Sequence, residues 1–389
     1  MKRTAAVCAA CLLMVSLLTS PASSLDLGQW IPGLKLTPFL SQRVEYETNV
    51  FQVPSHAQDD IIFKTIPGFL ADYTYGPHSL SAGYRAEILR YLDLTSQDTV
   101  HHIAVGQLRL DFPSTLLNIR DDYRRTSDPP NTELVGRILS DINVLAPEAE
   151  YRLSPRFAVG GNYSWTYVHF DDFAVGELLD RNEHLFGASV FYKILPKTDL
   201  RLNYSYGFKT FTFLSDRDVT RHIFTVSVRG DITAKLSSTF RIGVEKRIPD
   251  SSFEPGYTGL VAGGDWTYKP TERTTITLIT ERSLQESTFG DVPFFVTTSA
   301  ALSAQHRWNK VTFNAQVAAG VNDYPSKQTI FDQTKWRQDT FYSYGGGVEY
   351  DVQPWLTLGA EYTHGARRSN FDIFDFSDDK IVGRVTLHF

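Results

Sequence analysis

Residues 310–323, KVTFNAQVAAGVND, alternate in strict two-residue period. Val311, Phe313, Ala315, Val317, Ala319 and Val321 fall on one side, with Thr312, Asn314, Gln316, Gly320 and Asn322 on the other. Such a period belongs to a β-strand with two unlike faces. Residues 198–209 repeat it, setting Leu200, Leu202, Tyr204, Tyr206 and Phe208 against Arg201, Asn203, Ser205, Gly207 and Lys209. So do residues 234–247, with Leu236, Phe240, Ile242 and Val244 against Ser237, Thr239, Arg241, Gly243 and Glu245. Length is the constraint. Strands of soluble sandwiches commonly run about 5–6 residues, whereas these run to twelve or more. Alternating segments of roughly ten residues, tilted and closed on themselves, are what a transmembrane barrel requires. Lipid solvates the apolar face, and closure leaves no backbone group unpaired in hydrocarbon.

The connections point the same way. Eight short turns fall at 76–78, 113–114, 154–155, 195–197, 231–233, 269–271, 308–310 and 353–354. They alternate with longer polar links near 52–59, 95–98, 128–142, 171–181, 214–218, 248–255, 286–292, 323–334 and 370–378. Tight turns at one end and long loops at the other are the pattern of outer-membrane barrels. Seventeen connections join eighteen strands, so the expected fold is all-β: a transmembrane antiparallel up-and-down barrel of about 18 strands, with both ends on the periplasmic, short-turn side. The last strand, KIVGRVTLHF, then pairs with its predecessor and with the first strand. Ile381, Gly383, Val385, Leu387 and Phe389 face lipid, and Phe389 reaches the periplasmic interface, where aromatic rings are favoured. An outward set ending in Phe389 resembles the C-terminal signal read by the outer-membrane assembly machinery. Tyr151, Phe157, Trp266, Trp308 and Trp355 are the candidate aromatic belt on the turn side, with Tyr46, Tyr91, Tyr167 and Phe170 on the loop side.

Residues 1–24 carry Lys2 and Arg3, an apolar run through Leu18, and then small residues, which is the form of a secretory signal peptide. Residues 25–33 are a short periplasmic lead-in, and residues 34–389 are the barrel. Both cysteines, Cys8 and Cys11, lie in the leader, so no disulfide framework is expected. Its loss takes the formal charge from −6 to −8, an acidic balance that argues against a nucleic-acid partner. After the leader no run of 18 apolar residues occurs, so no membrane-spanning helix is expected. The expected location is the outer membrane of a Gram-negative bacterium.

Catalytic signatures are missing from the sequence. There is no Gly-x-Ser-x-Gly elbow, no phosphate loop and no His-Glu-x-x-His. His101 and His102 are adjacent on one strand and point to opposite faces. No enzyme activity, cofactor or metal is expected. The information lies in the residues that alternation turns inward: Arg43, Arg85, Glu87, Arg109, Asp111, Arg120, Asp122, Arg124, Arg152, Arg201, Arg229, Arg241, Glu349, Glu361 and Arg384. An eighteen-strand barrel is wide enough for an aqueous lumen. Mixed signs suggest either a weakly selective channel or salt-bridge ladders, since a strong ion filter needs a ring of one sign. The third long link, SDPPNTELVGRILSDIN, is the longest. General porins fold their third loop into the lumen, and by that likeness Glu133, Arg137 and Asp141 are the candidate constriction residues. The bland alternative is an external loop packed on its own rim.

A more specific likeness lies in residues 36–91. LTPFLSQRVEYETNVF with Asn49-Val50-Phe51, then Pro67-Gly68, Tyr84 and Tyr91, resembles the porin-2-like family of outer-membrane β-barrels associated with exopolysaccharide and capsule biosynthesis and export. The resemblance implies passage of a polymer across the outer membrane, with periplasmic and inner-membrane polysaccharide-export proteins as partners and no catalytic residues. The leading expectation is therefore an aqueous conduit for a secreted exopolysaccharide. The alternative is a general or substrate-specific diffusion porin for small solutes, and a third reading is a surface enzyme or adhesin built on the loops.

Overall fold

The structure, a computed structural model, describes residues 31–128, 133, 136–252, 254–289 and 292–389. The expected leader and residues 25–30 of the lead-in lie outside them. Eighteen strands follow in order: β1 (Leu34–Glu47), β2 (Asp60–Tyr75), β3 (His78–Tyr91), β4 (Thr99–Asp111), β5 (Thr115–Thr126), β6 (Ser140–Arg152), β7 (Phe157–Phe170), β8 (Arg181–Leu195), β9 (Thr198–Phe211), β10 (Val219–Asp231), β11 (Leu236–Pro249), β12 (Tyr257–Thr271), β13 (Thr274–Phe289), β14 (Val292–Trp308), β15 (Val311–Ile330), β16 (Gln333–Gln353), β17 (Leu356–Ser369) and β18 (Phe376–His388). Each pairs antiparallel with its neighbours in sequence, and β18 closes on β1 from Phe39 opposite His388 to Glu47 opposite Lys380. The barrel is thus the expected one, eighteen strands with no free edge. A single α-helix, α1 (Phe173–Leu179), is found among the described residues, in the link after β7; its N-cap Asp172 accepts from the Val175 N–H at 3.0 Å.

Register decides which face is the lumen. Arg229 on β10 reaches Glu150 on β6 at 3.4 Å, and Lys209 on β9 reaches Glu286 on β13 at 2.8 Å. Contacts that span four strands are possible only across the concave side. Carried through the pairings, this puts the odd residues of β1 and β9–β12 inside, with the even residues of β5, β6 and β18. The outer set includes Leu202, Phe224, Val244 and Val317, all exposed although apolar, as lipid solvation requires.

A girdle marks the outer-leaflet end of that surface. Tyr84 Oη lies 2.8 Å from His102 Nδ1, Tyr163 from His184 and Tyr204 from His222 at the same distance, all facing outward. On β17–β18 the place is taken by Tyr362 and His364, which share Asp379 at 2.7 and 2.8 Å. Each Tyr sits seven residues before the end of its strand, and its partner three after the start of the next. From His102 to Asp111 and from His222 to Asp231 is nine residues. At ~3.4 Å per residue and ~40° tilt that is ~23 Å of height, close to the ~25 Å apolar band of such barrels. The strands therefore extend beyond the membrane on the loop side.

Four expectations from the sequence are corrected. The links near 286–292 and 323–334 are not long loops: β13 and β14 are separated by residues 290–291 alone, and β15 and β16 by 331–332. Polar side chains on over-long strands read as loops because those strand ends stand in water. Tyr91 and Phe170 do not belong to the outer belt. Tyr91 packs inward with Val50, Ile62 and Leu89, and Phe170 with Val168 and Leu179, each filling space beneath a loop.

The β13–β14 hairpin leaves the wall. β12 pairs with β13 only as far as Ala262 opposite Arg282, and β15 meets β14 only from Asp323 opposite Val296. Beyond those points the hairpin turns into the lumen, where Val292, Phe294 and Phe295 are fully buried. Consecutive buried residues are the reason, because DVPFFV has apolar side chains on both faces and neither can be given to water.

Candidate functional site

The fifteen residues singled out in the sequence all fall on the inward set of their strands. Many neutralise one another along a strand. Arg85 binds Glu87 at 2.8 Å, Arg109 binds Asp111 at 3.0 Å and Arg120 binds Asp122 at 2.6 Å. Arg181–Glu183 and Arg337–Asp339 repeat the arrangement at 2.7 and 2.6 Å. An Arg-x-acid spacing in a strand places both groups on one face, so the spacing itself is a signal for lumen pairs. Other pairs run across strands: Arg152 to Asp111 at 2.9 Å, Arg201 to Glu148 at 2.9 Å, Arg241 to Glu281 at 3.4 Å, and Arg384 to Glu349.

At the loop end the lumen narrows around three charge clusters. One joins Glu47, Lys380 and Arg137, with Lys64 bound to Glu45 at 2.8 Å beside it. A second holds Lys209 between Glu183 and Glu286, flanked by Arg221–Glu245 and Arg247–Glu254. The third is Arg337, Asp339 and Glu133, with Arg337 stacked 3.5 Å from the centre of the Phe374 ring. The sequence reading did not single out Arg337, Asp339, Arg367 or Glu286: it placed Glu286 in the link near 286–292, and the other three lie within a few residues of the links near 323–334 and 370–378, where strand alternation has little contrast.

The third link, here L3 (residues 127–139), joins the first cluster to the third. Arg137 donates to Glu47 on β1 at 2.6 Å, to Asp128 at 2.6 Å and to the Val50 carbonyl at 3.3 Å. Glu133 reaches the inverted hairpin. Ser287 Oγ donates to its Oε1 at 3.0 Å, and the Thr288 N–H and hydroxyl donate to its Oε2 at 2.6 and 3.1 Å. Arg337 lies 3.5 Å from the same carboxylate, and Arg367 donates to the Glu133 carbonyl at 3.0 Å. A residue between β5 and β6 is thus held by β13, β16 and β17, on the far side of the barrel. Burial pushes the Glu133 carboxyl above the ordinary range, against the Thr288 hydrogen bond and the Arg337 charge. Burial opposes the charge on Arg137, but Glu47 together with Tyr91, Asp128 and Glu45 more than offsets it, and its proton is held more tightly than in free arginine.

Two more links complete the closure. Arg217, between β9 and β10, donates to the Leu178 carbonyl of α1 at 2.8 Å and to the Ser287 and Pro293 carbonyls at 3.2 and 2.8 Å. Arg247 lies over the Phe294 ring at 4.8 Å. L3, α1, the Arg217 link and the β13–β14 hairpin therefore meet inside the loop-end mouth.

Asp141 is not part of this. It belongs to β6, where it faces outward and binds Arg125, with the Tyr123 hydroxyl donating to it at 2.6 Å. The loop ends at residue 139, three residues before the 142 expected from the sequence, since Ser140 already pairs with Phe170, and an odd position on β6 points away from the lumen.

Below the closure the lumen is open and polar. One chamber of about 580 Å³ lies toward the turns and is bordered by Arg43, Arg85, Arg384 and Glu349, and a second of about 340 Å³ shares Arg43, Glu349 and Arg384 and adds Glu361 and Lys380. A further space of about 500 Å³ is bounded by Arg109, Arg152 and Arg229. At the turn end Phe389 donates its N–H to the Pro38 carbonyl at 2.9 Å and packs with Leu356, Val385, Leu387 and Trp355.

Comparison with known proteins agrees with this architecture. OccK2 (OpdF) of Pseudomonas aeruginosa superposes with a TM-score of 0.50 at 10% identity, over 91% of this chain and 98% of that one. OpdK of Pseudomonas aeruginosa, solved with vanillate, gives 0.47 at 13%, over 91% and 99%. OccAB3 of Acinetobacter baumannii gives 0.46 at 12%, over 91% and 99%. At 10% identity the OccK2 likeness bears on the fold alone. No curated protein sequence matches the chain. The sequence profile of one family, described as Putative beta-barrel porin 2, matches residues 26–389. The chain belongs to that family of porin-like outer-membrane β-barrels.

Proposed function

We propose that the protein is a diffusion porin for small solutes, restricted by its own inward-folded segments. The observation that carries this reading is the docking of Glu133 and Arg137 across the loop-end mouth. A polysaccharide strand needs a continuous passage along the whole axis. Here it would have to displace L3, α1 and the β13–β14 hairpin together and strip several buried ion pairs. Breaking even one such pair costs about 3–5 kcal/mol. Sugars and small ions need only the gaps between those groups. The inward charges of both signs, many of them already paired, suit weakly selective traffic.

The polymer-conduit reading keeps one support, the likeness of residues 36–91 to barrels associated with exopolysaccharide and capsule export. Deleting the chain and measuring periplasmic and surface polysaccharide separately decides between them. Unchanged polysaccharide with slower uptake of small solutes is the outcome of the porin reading. Polymer trapped in the periplasm is the outcome of the other, and would bring in export proteins as partners. In either case residues 1–24 act as the signal peptide, and Phe389 ends the strand that the assembly machinery reads.

A further inference from the structure

We propose that Arg43 is the centre of a binding site for a small organic carboxylate, in the chamber on the turn side of the docked loops. The proposal rests on the small-solute reading and names the solute class. The chamber, about 580 Å³ in volume, is of the size that holds small ligands. Its arginines differ in one respect. Arg85 has Glu87 at 2.8 Å, Arg307 has Asp351 at 3.0 Å and Arg384 has Glu349. Among the described residues the Arg43 guanidinium makes no hydrogen bond and no ion pair, and its Nε is buried without a partner. The carboxylates near it are taken: Glu45 by Lys64 at 2.8 Å and Glu87 by Arg85. Arg384 stands directly opposite Arg43 in the β1–β18 register, which makes the local potential positive. A buried cationic donor left unsatisfied is costly, and a carboxylate is the acceptor whose two oxygens fit the guanidinium fork.

The neighbouring wall sets the rest of the ligand. Inward positions that face water are polar by rule in such barrels, yet Phe39, Ile66 and Leu70 all border this chamber. Phe39 pairs with Gly68, and Ile66 and Leu70 are the inward residues on either side of that glycine along β2. A Cβ at Gly68 would lie 2.5 Å from the tip of the Phe39 ring, so only glycine lets the ring lie on the strand. An apolar shelf beside an unpaired arginine fits a carboxylate with an apolar body better than a bare inorganic anion or a neutral sugar.

The test uses the full chain, folded in detergent and verified by heat-modifiable mobility, with benzoate as the probe in titration calorimetry. Benzoate is expected to bind saturably, while its neutral amide benzamide and its cationic counterpart benzylamine give no binding heat. R43A is expected to weaken benzoate at least tenfold. R43K, which keeps charge and length but loses the fork, should also weaken it and guards against a folding defect in R43A. F39A should weaken benzoate and leave acetate unchanged. Equal affinity for benzamide, preference for benzylamine, no benzoate heat, or unaltered benzoate binding in both Arg43 variants would overturn the proposal. Arabinose swelling of liposomes tests the pore separately. Swelling without benzoate binding removes the site and keeps the porin, and benzoate binding without swelling does the reverse.

Discussion

Replacing Glu133 by alanine should open the channel. Its carboxylate accepts from Ser287 Oγ and from the Thr288 N–H and hydroxyl, and faces Arg337, itself 1% exposed. Truncation leaves the Thr288 N–H and the Ser287 hydroxyl without their acceptor. Hydrogen bonds to a charged group contribute about 1.5–3 kcal/mol each and do not add fully. Losing one partner of a buried pair costs about 3–5 kcal/mol. Arg337 keeps Asp339 at 2.6 Å, so the ion-pair share of this cost lies toward the low end, and the lost hydrogen bonds bring the whole to about 3–5 kcal/mol. At about 1.4 kcal/mol per factor of ten, the docking equilibrium of L3 shifts by about 10² to 10³·⁵. Inverting a two-state population from 99:1 to 1:99 takes about 5.5 kcal/mol, so E133A should carry the tip of L3 most of the way out. Single-channel recording in planar bilayers reads this directly, as a higher conductance or longer openings than wild type. Glu133→Gln retains an acceptor for Thr288 and should open far less. Identical conductance of E133A and wild type, with both folded, would refute the docking argument. So would equal opening in E133Q and E133A, since that would make charge alone the anchor.

Other consequences can be checked in the same preparations. Burial raises the Glu133 carboxyl in the docked loop relative to a loop exposed to water, so docking takes up a proton and strengthens as pH falls. It weakens as pH rises through the raised value. Conductance should thus drop on acidification, and E133Q, against the unchanged background of Arg337, Asp339, Arg367 and Tyr324, should flatten that dependence. Val226 faces lipid midway between His222 and Asp231, so Val226→Arg should destabilise the barrel by about 2–4 kcal/mol in urea titration. Thr225→Arg, one residue away and facing the lumen, should cost far less; equal costs would reverse the assigned faces. Tyr204→Phe removes the 2.8 Å contact with His222 and should lower stability by about 0.5–1.5 kcal/mol. Phe389→Ala should reduce the yield of assembled protein in the outer membrane far more than it alters the stability of material refolded in detergent.

Most of the wall was legible in the sequence, for a physical reason. In a barrel each inward residue is flanked by outward ones, so one clear apolar set, such as Leu200 to Phe208, fixes the facing of a whole strand. The eight expected turns carry Pro, Gly, Asn or Asp where a tight reversal needs them, and seven stand where expected; the one expected at 269–271 falls instead at 272–273, because β12 runs on through Pro270 to Thr271. Strand ends on the loop side were less legible. Outside the membrane both faces meet water or protein, so the period loses its contrast at Gln333 and Asp339, and two strand extensions were read as loops. Asp141 was misplaced for the same reason: the link was read through residue 142, whereas β6 begins at Ser140. The inverted hairpin left a trace in DVPFFV, a run without alternation. The sequence alone does not tell that the run lies inside the mouth rather than in a loop above it. Glu133 and Arg137 could be placed in the third loop, but Arg337 lies about 200 residues from Glu133 and Glu47 lies 90 residues from Arg137, and no local pattern encodes such a contact.

Reconstitution into liposomes tests the central claim most directly, with swelling rates measured in arabinose and in maltoheptaose. A small-solute porin closed in part by docked loops admits arabinose and excludes the heptasaccharide, and E133A raises the first rate. Free entry of maltoheptaose into wild-type liposomes, or no swelling in either sugar, would contradict it.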